Sequence, residues 1–139
     1  MTIYTGCVYY GLKHKDLGIR YLTISRLSDN TGLLPKEDLW KNDEYDLFDI
    51  WHTRVAPIGK NVNDFYKENI SWEEFSEMYV NHIYSKENFP FLRELTSKAL
   101  EGNIVLQCVC RNYEKCHRSL LANAVKSISK RNLKIIHLN

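Results

Sequence analysis

The chain has 139 residues, of which 44% are hydrophobic and 12% aromatic, with 19 Lys plus Arg against 17 Asp plus Glu. At roughly 100–200 residues per domain, residues 1–139 form one domain. Six Gly and three Pro exclude collagen-like and low-complexity chains. No apolar run approaches the ~20 residues that span a bilayer, so no membrane is expected as a partner. Met1, Thr2, Ile3 and Tyr4 carry no basic or long apolar leader, so no signal peptide is expected.

Chain order suggests an α/β arrangement. Ile3 to Tyr10 is rich in Ile, Tyr and Val and predicts a strand; Arg20 to Ile24 predicts a second. Ser28 to Gly32 is polar and stops it. Residues 33–56 show no sustained period but hold Leu39, Trp40, Leu47, Phe48 and Trp51, which predicts an ordered loop with a helical turn. Lys60 to Lys67 can form a short helix after the break at Pro57. Ser71 and Glu74 stand in capping-box spacing. Behind them, Trp72, Phe75, Met78, Tyr79, His82 and Ile83 recur every three or four residues, a stripe that reads as core packing. Phe89 to Leu100 predicts another helix, with Gly102 as its stop.

The last third is the clearest. Asn103 to Val109 is nearly all apolar, as in a strand buried on both faces. A loop, Cys110 to Lys115, precedes an amphipathic helix over Ser119–Ser129 and a final strand over Leu133–Leu138. Such a unit joins parallel strands. The expected fold is a small three-layer, Rossmann-like α/β domain, with a mainly parallel sheet of about four to five strands.

Charge is uneven along the chain. Residues 1–106 carry −4 and residues 107–139 carry +6. Three of the four cysteines, Cys108, Cys110 and Cys116, fall in that basic part, while Cys7 stands alone. Clustered cysteines in a chain with an ample core point to reduced thiols and a cytoplasmic location rather than a disulfide framework.

Ligands of open parallel sheets bind beyond the carboxyl ends of the strands. That edge would carry Cys108 and then Cys116, His117, Arg118 and Ser119 at a helix start. Helix N-termini favour anions, and Arg111, Lys115 and Arg118 add positive charge. The same field favours a thiolate at Cys116, and His117 beside it suits acid/base work. A cation such as Arg118 at a helix start opposes the dipole, which argues for a compensating anion or buried acid. A metal is weighed on Cys108, Cys110, Cys116 and His117. Zinc sites usually use Cys-x2-Cys spacing, and neighbouring Cys and His rarely share an ion, so neither metal ligand nor cofactor is assigned. Phosphatase-type Cys-x5-Arg, Walker-A and Gly-x-Gly-x-x-Gly signatures are absent.

The run Ile104-Val105-Leu106-Gln107-Cys108, then Cys116-His117-Arg118-Ser119-Leu120-Leu121-Ala122 opening a helix, resembles the hallmark of domain-of-unknown-function family 488. The closing Ile135-Ile136-His137-Leu138 is similar to that family's last strand. Val55-Ala56-Pro57-Ile58, Phe65-Tyr66-Lys67 and Ile70 to Phe75 resemble its Ala-Pro-Ser segment and following helices, and Ser25-Arg26-Leu27 its Asp-Arg position. Ser25 and Ile58 depart from the pattern, and Cys110 is an added thiol. The resemblance implies a compact α/β domain with a pocket over the strand ends, and it supplies no established reaction.

These readings converge on an anion-binding pocket with catalytic potential. Cys116, His117 and Cys108 are its candidate reactive groups; Arg26, Arg118 and Ser119, with Cys7, Tyr9 and Tyr10 near the first strand's end, are its candidate ligand-binding groups. The expected partner is a nucleotide-like or phosphorylated small molecule. The alternative is a non-enzymatic module that docks nucleic acid or an acidic protein through Lys126, Lys130, Arg131 and Lys134.

Overall fold

The computed structural model describes residues 1–26, 41–110 and 112–138. Leu27, the polar stop at 28–32, residues 33–40 of the apolar loop and Arg111 lie outside the described residues.

Five strands form one sheet: β1 (Thr2–Cys7), β2 (Ile19–Leu22), β3 (Ile50–Trp51), β4 (Ile104–Cys108) and β5 (Lys134–His137). Their order is β3-β2-β4-β1-β5, and every pairing is parallel. The expected α/β class and strand number are therefore what the chain adopts. The helices are α1 (Asn42–Tyr45), α2 (Gly59–Tyr66), α3 (Trp72–Ile83), α4 (Phe89–Glu101) and α5 (His117–Ser129). Short 3-10 turns cover Val8–His14, Thr53–Val55 and Tyr113–Lys115. No described helix is long and apolar enough to cross a membrane.

The middle strand explains its own composition. β4 is paired on both edges and all five of its residues are buried. Ile104 and Leu106 share a core with Ile3, Tyr21, Leu92, Leu95, Leu121 and Val125. The α3 stripe joins that core through Phe75, Tyr79 and Ile83, whereas Met78 is 39% exposed. Ser71 and Glu74 form the reciprocal cap, with the Ser71 hydroxyl accepting from the Glu74 amide at 3.0 Å. Gly102 ends α4 in extended backbone.

The first strand is shorter than its composition suggests. It stops at Cys7, and Val8–His14 turns into a 3-10 helix that lies on the other face of the sheet. The reason is distant in sequence. His14 is buried against Gly6, where an added Cβ would meet the imidazole Cε1 at 2.5 Å. Gln107, pointing to the same face, donates from Nε2 to His14 Nδ1 at 3.2 Å and to the Leu47 carbonyl at 2.9 Å.

Arg20, read from the sequence only as a strand residue, is fully buried. Its guanidinium donates to both Asp49 carboxylate oxygens, at 3.0 and 2.9 Å, to the Gly11 carbonyl at 3.0 Å, and to Asp46. It thereby fastens the 3-10 turn and the segment between α1 and β3 to the sheet. Asp46 takes a left-handed φ of 51° to reach it. Both carboxylates reach solvent, so the cost of Arg20→Met lies mainly in the lost hydrogen bonds of its buried guanidinium, and a stability loss of about 1–3 kcal/mol in urea unfolding is expected. A loss under 1 kcal/mol would contradict this role.

Burial holds the His14 imidazole down at about 4, with Arg20 and Arg118 adding to the effect. The folded state therefore prefers neutral His14. This stability is fully present above the unfolded value of about 6.5 and is lost as pH falls towards 4. Between about pH 7.5 and about pH 5 it amounts to about 2 kcal/mol. His14→Gln is expected to flatten the pH dependence of urea midpoints by that amount; identical slopes in the two proteins would refute it.

Candidate functional site

The site grows from the end of β4. The strand ends at Cys108, and a bend at Val109 carries the chain on to Cys110. The chain then turns through Tyr113–Lys115. Asn112 accepts from the Glu114 amide at 3.0 Å, and the Ser119 hydroxyl donates to the Tyr113 carbonyl. This closed turn returns Cys116 to the N-cap of α5 in extended backbone, with φ −133° and ψ 140°. The Sγ atoms of Cys108, Cys110 and Cys116 consequently lie within 4.8 Å of one another.

His117, the first residue of α5, is buried beside them. Its Nε2 lies 2.7 Å from the Thr23 carbonyl and 2.9 Å from the Thr23 hydroxyl. That hydroxyl donates its proton to the Gln107 carbonyl at 2.8 Å. A carbonyl only accepts, so Nε2 carries the hydrogen and donates. The lone pair is left on Nδ1, which faces Cys108 Sγ at 3.7 Å and Cys116 Sγ at 4.0 Å. The Tyr79 ring meets the imidazole edge-on at 5.2 Å.

Above the thiols is a cavity of about 80 Å³. Ile24, Ser25 and Arg26 come to it from the end of β2, Val62, Phe65 and Tyr66 from α2, and Phe75 from α3. Cys108 to Cys110 and Lys115 to His117 complete it. Arg26 and Lys115 are exposed at its rim, and among the described residues no carboxylate lines it. The Tyr66 hydroxyl lies 2.8 Å from Cys110 Sγ.

The three thiols differ electrostatically. Hydrogen bonds from Cys108 and Cys116, and one from Tyr66, hold Cys110 well below the ordinary thiol value. Burial pushes Cys108 and Cys116 up. Burial also raises the Tyr66 phenol and lowers His117 to about 4. Of the three, Cys110 is therefore the thiol that loses its proton most readily.

The family model DUF488-N3a, described as the active DUF488-N3 subclade, matches residues 4–129. The chain belongs to the DUF488 family. No curated protein and no solved structure matches it. The matched span runs from β1 to the end of α5 and contains every residue of the pocket in this DUF488 domain.

Of the residues singled out from the sequence, Cys108, Cys116, His117 and Arg26 meet in one cavity. Arg118 is fully buried behind it and donates to the Cys110 carbonyl, so it holds the loop that presents Cys110. Ser119 closes the neighbouring turn. Cys7 is buried at the end of β1, with Sγ 3.7 Å from the Val109 carbonyl. Tyr9 packs against a core containing Val8 and Leu22. Tyr10 is 39% exposed under Lys13 and does not line the pocket. Tyr66 and Thr23 carry no sequence signal of a site role. Tyr66 is brought in by helix packing, and Thr23 acts chiefly through a main-chain carbonyl, which leaves no mark in the side-chain pattern.

Exposure orders the thiols of this DUF488 domain. Cys7, Cys108 and Cys116 are at most 2% exposed and Cys110 is intermediate. Brief alkylation in a chelating buffer, read by peptide mass spectrometry, is expected to label Cys110 first, by roughly tenfold or more over the others. Equal labelling of all four would contradict the geometry.

Proposed function

We propose that this DUF488 protein is an enzyme whose carboxyl-edge pocket receives a small molecule bearing an anionic group. The observation that carries the reading is one cavity with a cationic rim, aromatic walls and a sulfur floor, with no carboxylate among its described lining residues. Arg26 and Lys115 attract the anion. Phe65, Tyr66 and Phe75 give the wall an apolar lining that suits a nonpolar portion of the substrate. The enclosed volume of about 80 Å³ is small beside the ~300–1,000 Å³ of pockets that bury whole drug-sized ligands. Only the reactive end of the substrate therefore enters, and its phosphate or carboxylate stays at the rim. Cys110 is the first sulfur that an entering group meets, with Cys108, Cys116 and His117 behind it. A nucleotide-like or phosphorylated metabolite suits this division, and the matched subclade's description as active agrees with turnover.

The alternative, docking of nucleic acid or an acidic protein, uses a different part of the molecule. Lys130, Arg131 and Lys134 are exposed where α5 ends and β5 begins, at the amino edge of the parallel sheet. The pocket is at the opposite edge.

A thermal-shift screen of nucleoside monophosphates and sugar phosphates tests the choice. At least one is expected to stabilise the protein, and Arg26→Ala with Lys115→Ala to weaken it by about tenfold or more. Lys126→Ala with Lys130→Ala should leave that affinity unchanged. If only the second pair matters, and binding falls steeply with salt, the pocket reading fails.

A further inference from the structure

We propose that Cys108, Cys110 and Cys116 together bind one thiophilic divalent ion, with Nδ1 of His117 as the fourth ligand and zinc as the ion that the donor set suits best. This deepens the reading of the same pocket by naming a cofactor for its floor, but it does not depend on the anionic ligand.

Distances support it. A tetrahedral zinc with Zn–S of ~2.3 Å and Zn–N of ~2.0–2.1 Å has S···S edges of ~3.8 Å and S···N edges of ~3.5 Å. Here the three sulfurs lie within 4.8 Å of one another, and Nδ1 is 3.7 and 4.0 Å from two of them. The three sulfurs form the close cluster, and Nδ1, which already faces Cys108 and Cys116, joins it by a side-chain shift towards Cys110. The three thiol protons leave to solvent as the ion binds.

The surroundings are those of a ligand shell. A metal-bound histidine usually donates its other ring nitrogen to a carbonyl or carboxylate, which fixes ring and tautomer. Nε2 of His117 does this to Thr23, and the lone pair turns to the sulfurs. Tyr66 hydrogen-bonds the outermost sulfur, and Arg118 holds the carbonyl of the same residue. The buried Arg118 cation also offsets the charge of three thiolates.

The spacing that argued against a metal applies to zinc knuckles, in which a loop supplies both cysteines. Here the last residue of β4 and the bend that follows it bring Cys108 and Cys110 together. The change from extended to helical backbone between Cys116 and His117 lets two neighbours turn to one point. Packing alone does not require this convergence. Cys7, equally buried and paired in register with Cys108, has its sulfur against a backbone carbonyl instead.

The test is cobalt titration of the full chain, stripped of metal under reducing conditions, with no small molecule present. One equivalent is expected to bind with sulfur-to-cobalt charge-transfer absorption and the ligand-field bands of a tetrahedral site, and zinc should displace it. Cys110→Ser should weaken uptake by about tenfold or more, while Cys7→Ala should match the parent. If the stripped chain unfolds, folding on addition of one equivalent of zinc also supports the site. A folded chain that takes up no cobalt, or takes it up without a thiolate band, overturns the proposal. Binding at the Arg26 and Lys115 rim, measured separately, would survive that failure.

Discussion

A single hydrogen bond ties the carboxyl edge of the sheet together. Nε2 of His117, at the first turn of α5, donates to the carbonyl of Thr23, just past β2, at 2.7 Å. Thr23 in turn reaches β4, its amide and hydroxyl both donating to the Gln107 carbonyl. Three segments far apart in sequence are thus locked at one point: the ends of β2 and β4 and the start of the last helix. The bond also decides chemistry. It assigns the ring proton to Nε2 and leaves Nδ1 as a lone pair directed at sulfur. Buried donors and acceptors are costly to leave unpaired, so the arrangement is rigid.

The frame behind that edge is held from the other face. Arg20 gathers Asp46, Asp49 and Gly11, and His14 packs on Gly6 while it accepts from Gln107. Gln107 thus serves both layers: its side chain faces His14 and its carbonyl faces Thr23. Because it directly precedes Cys108, the packing of the far face sets where the sulfur floor begins. Arg118 completes the frame from within α5 by fixing the loop at Cys110. Folding and site geometry depend on the same buried polar groups, so loss of Arg20 or Arg118 is expected to disturb both.

Much of this was legible in the sequence where physics is local. A strand buried on both faces must be nearly all apolar, and Ile104 to Cys108 is. A capping box announces its helix, as Ser71 and Glu74 do. Where long-range contacts decide, the pattern misleads. Val8, Tyr9 and Tyr10 have strand composition, yet they turn into a 3-10 helix because His14 must reach Gly6. β3 is two residues long and offers no period to read. Arg118 at a helix start pointed to an anion, but a partner it takes is the carbonyl of Cys110. Cys108, Cys116 and His117 are legible as site residues because a strand end and a helix start are recognisable positions, whereas Arg26 follows only from the resemblance to family 488. Tyr66 is not legible, because only tertiary packing brings α2 over the sulfurs. The uneven charge also resolves into two places: Lys115 lies at the pocket rim, and Lys130, Arg131 and Lys134 lie at the far edge.

The central claim is that the carboxyl edge, with its sulfur floor, is where this DUF488 protein meets its small molecule. The most direct measurement is amide chemical-shift mapping during titration with a phosphorylated metabolite identified as stabilising. Shifts are expected to concentrate at Ile24 to Arg26, along α2, and from Cys108 to His117. Shifts centred on Lys126, Lys130 and Lys134, with the thiol-bearing loop unmoved, would contradict it.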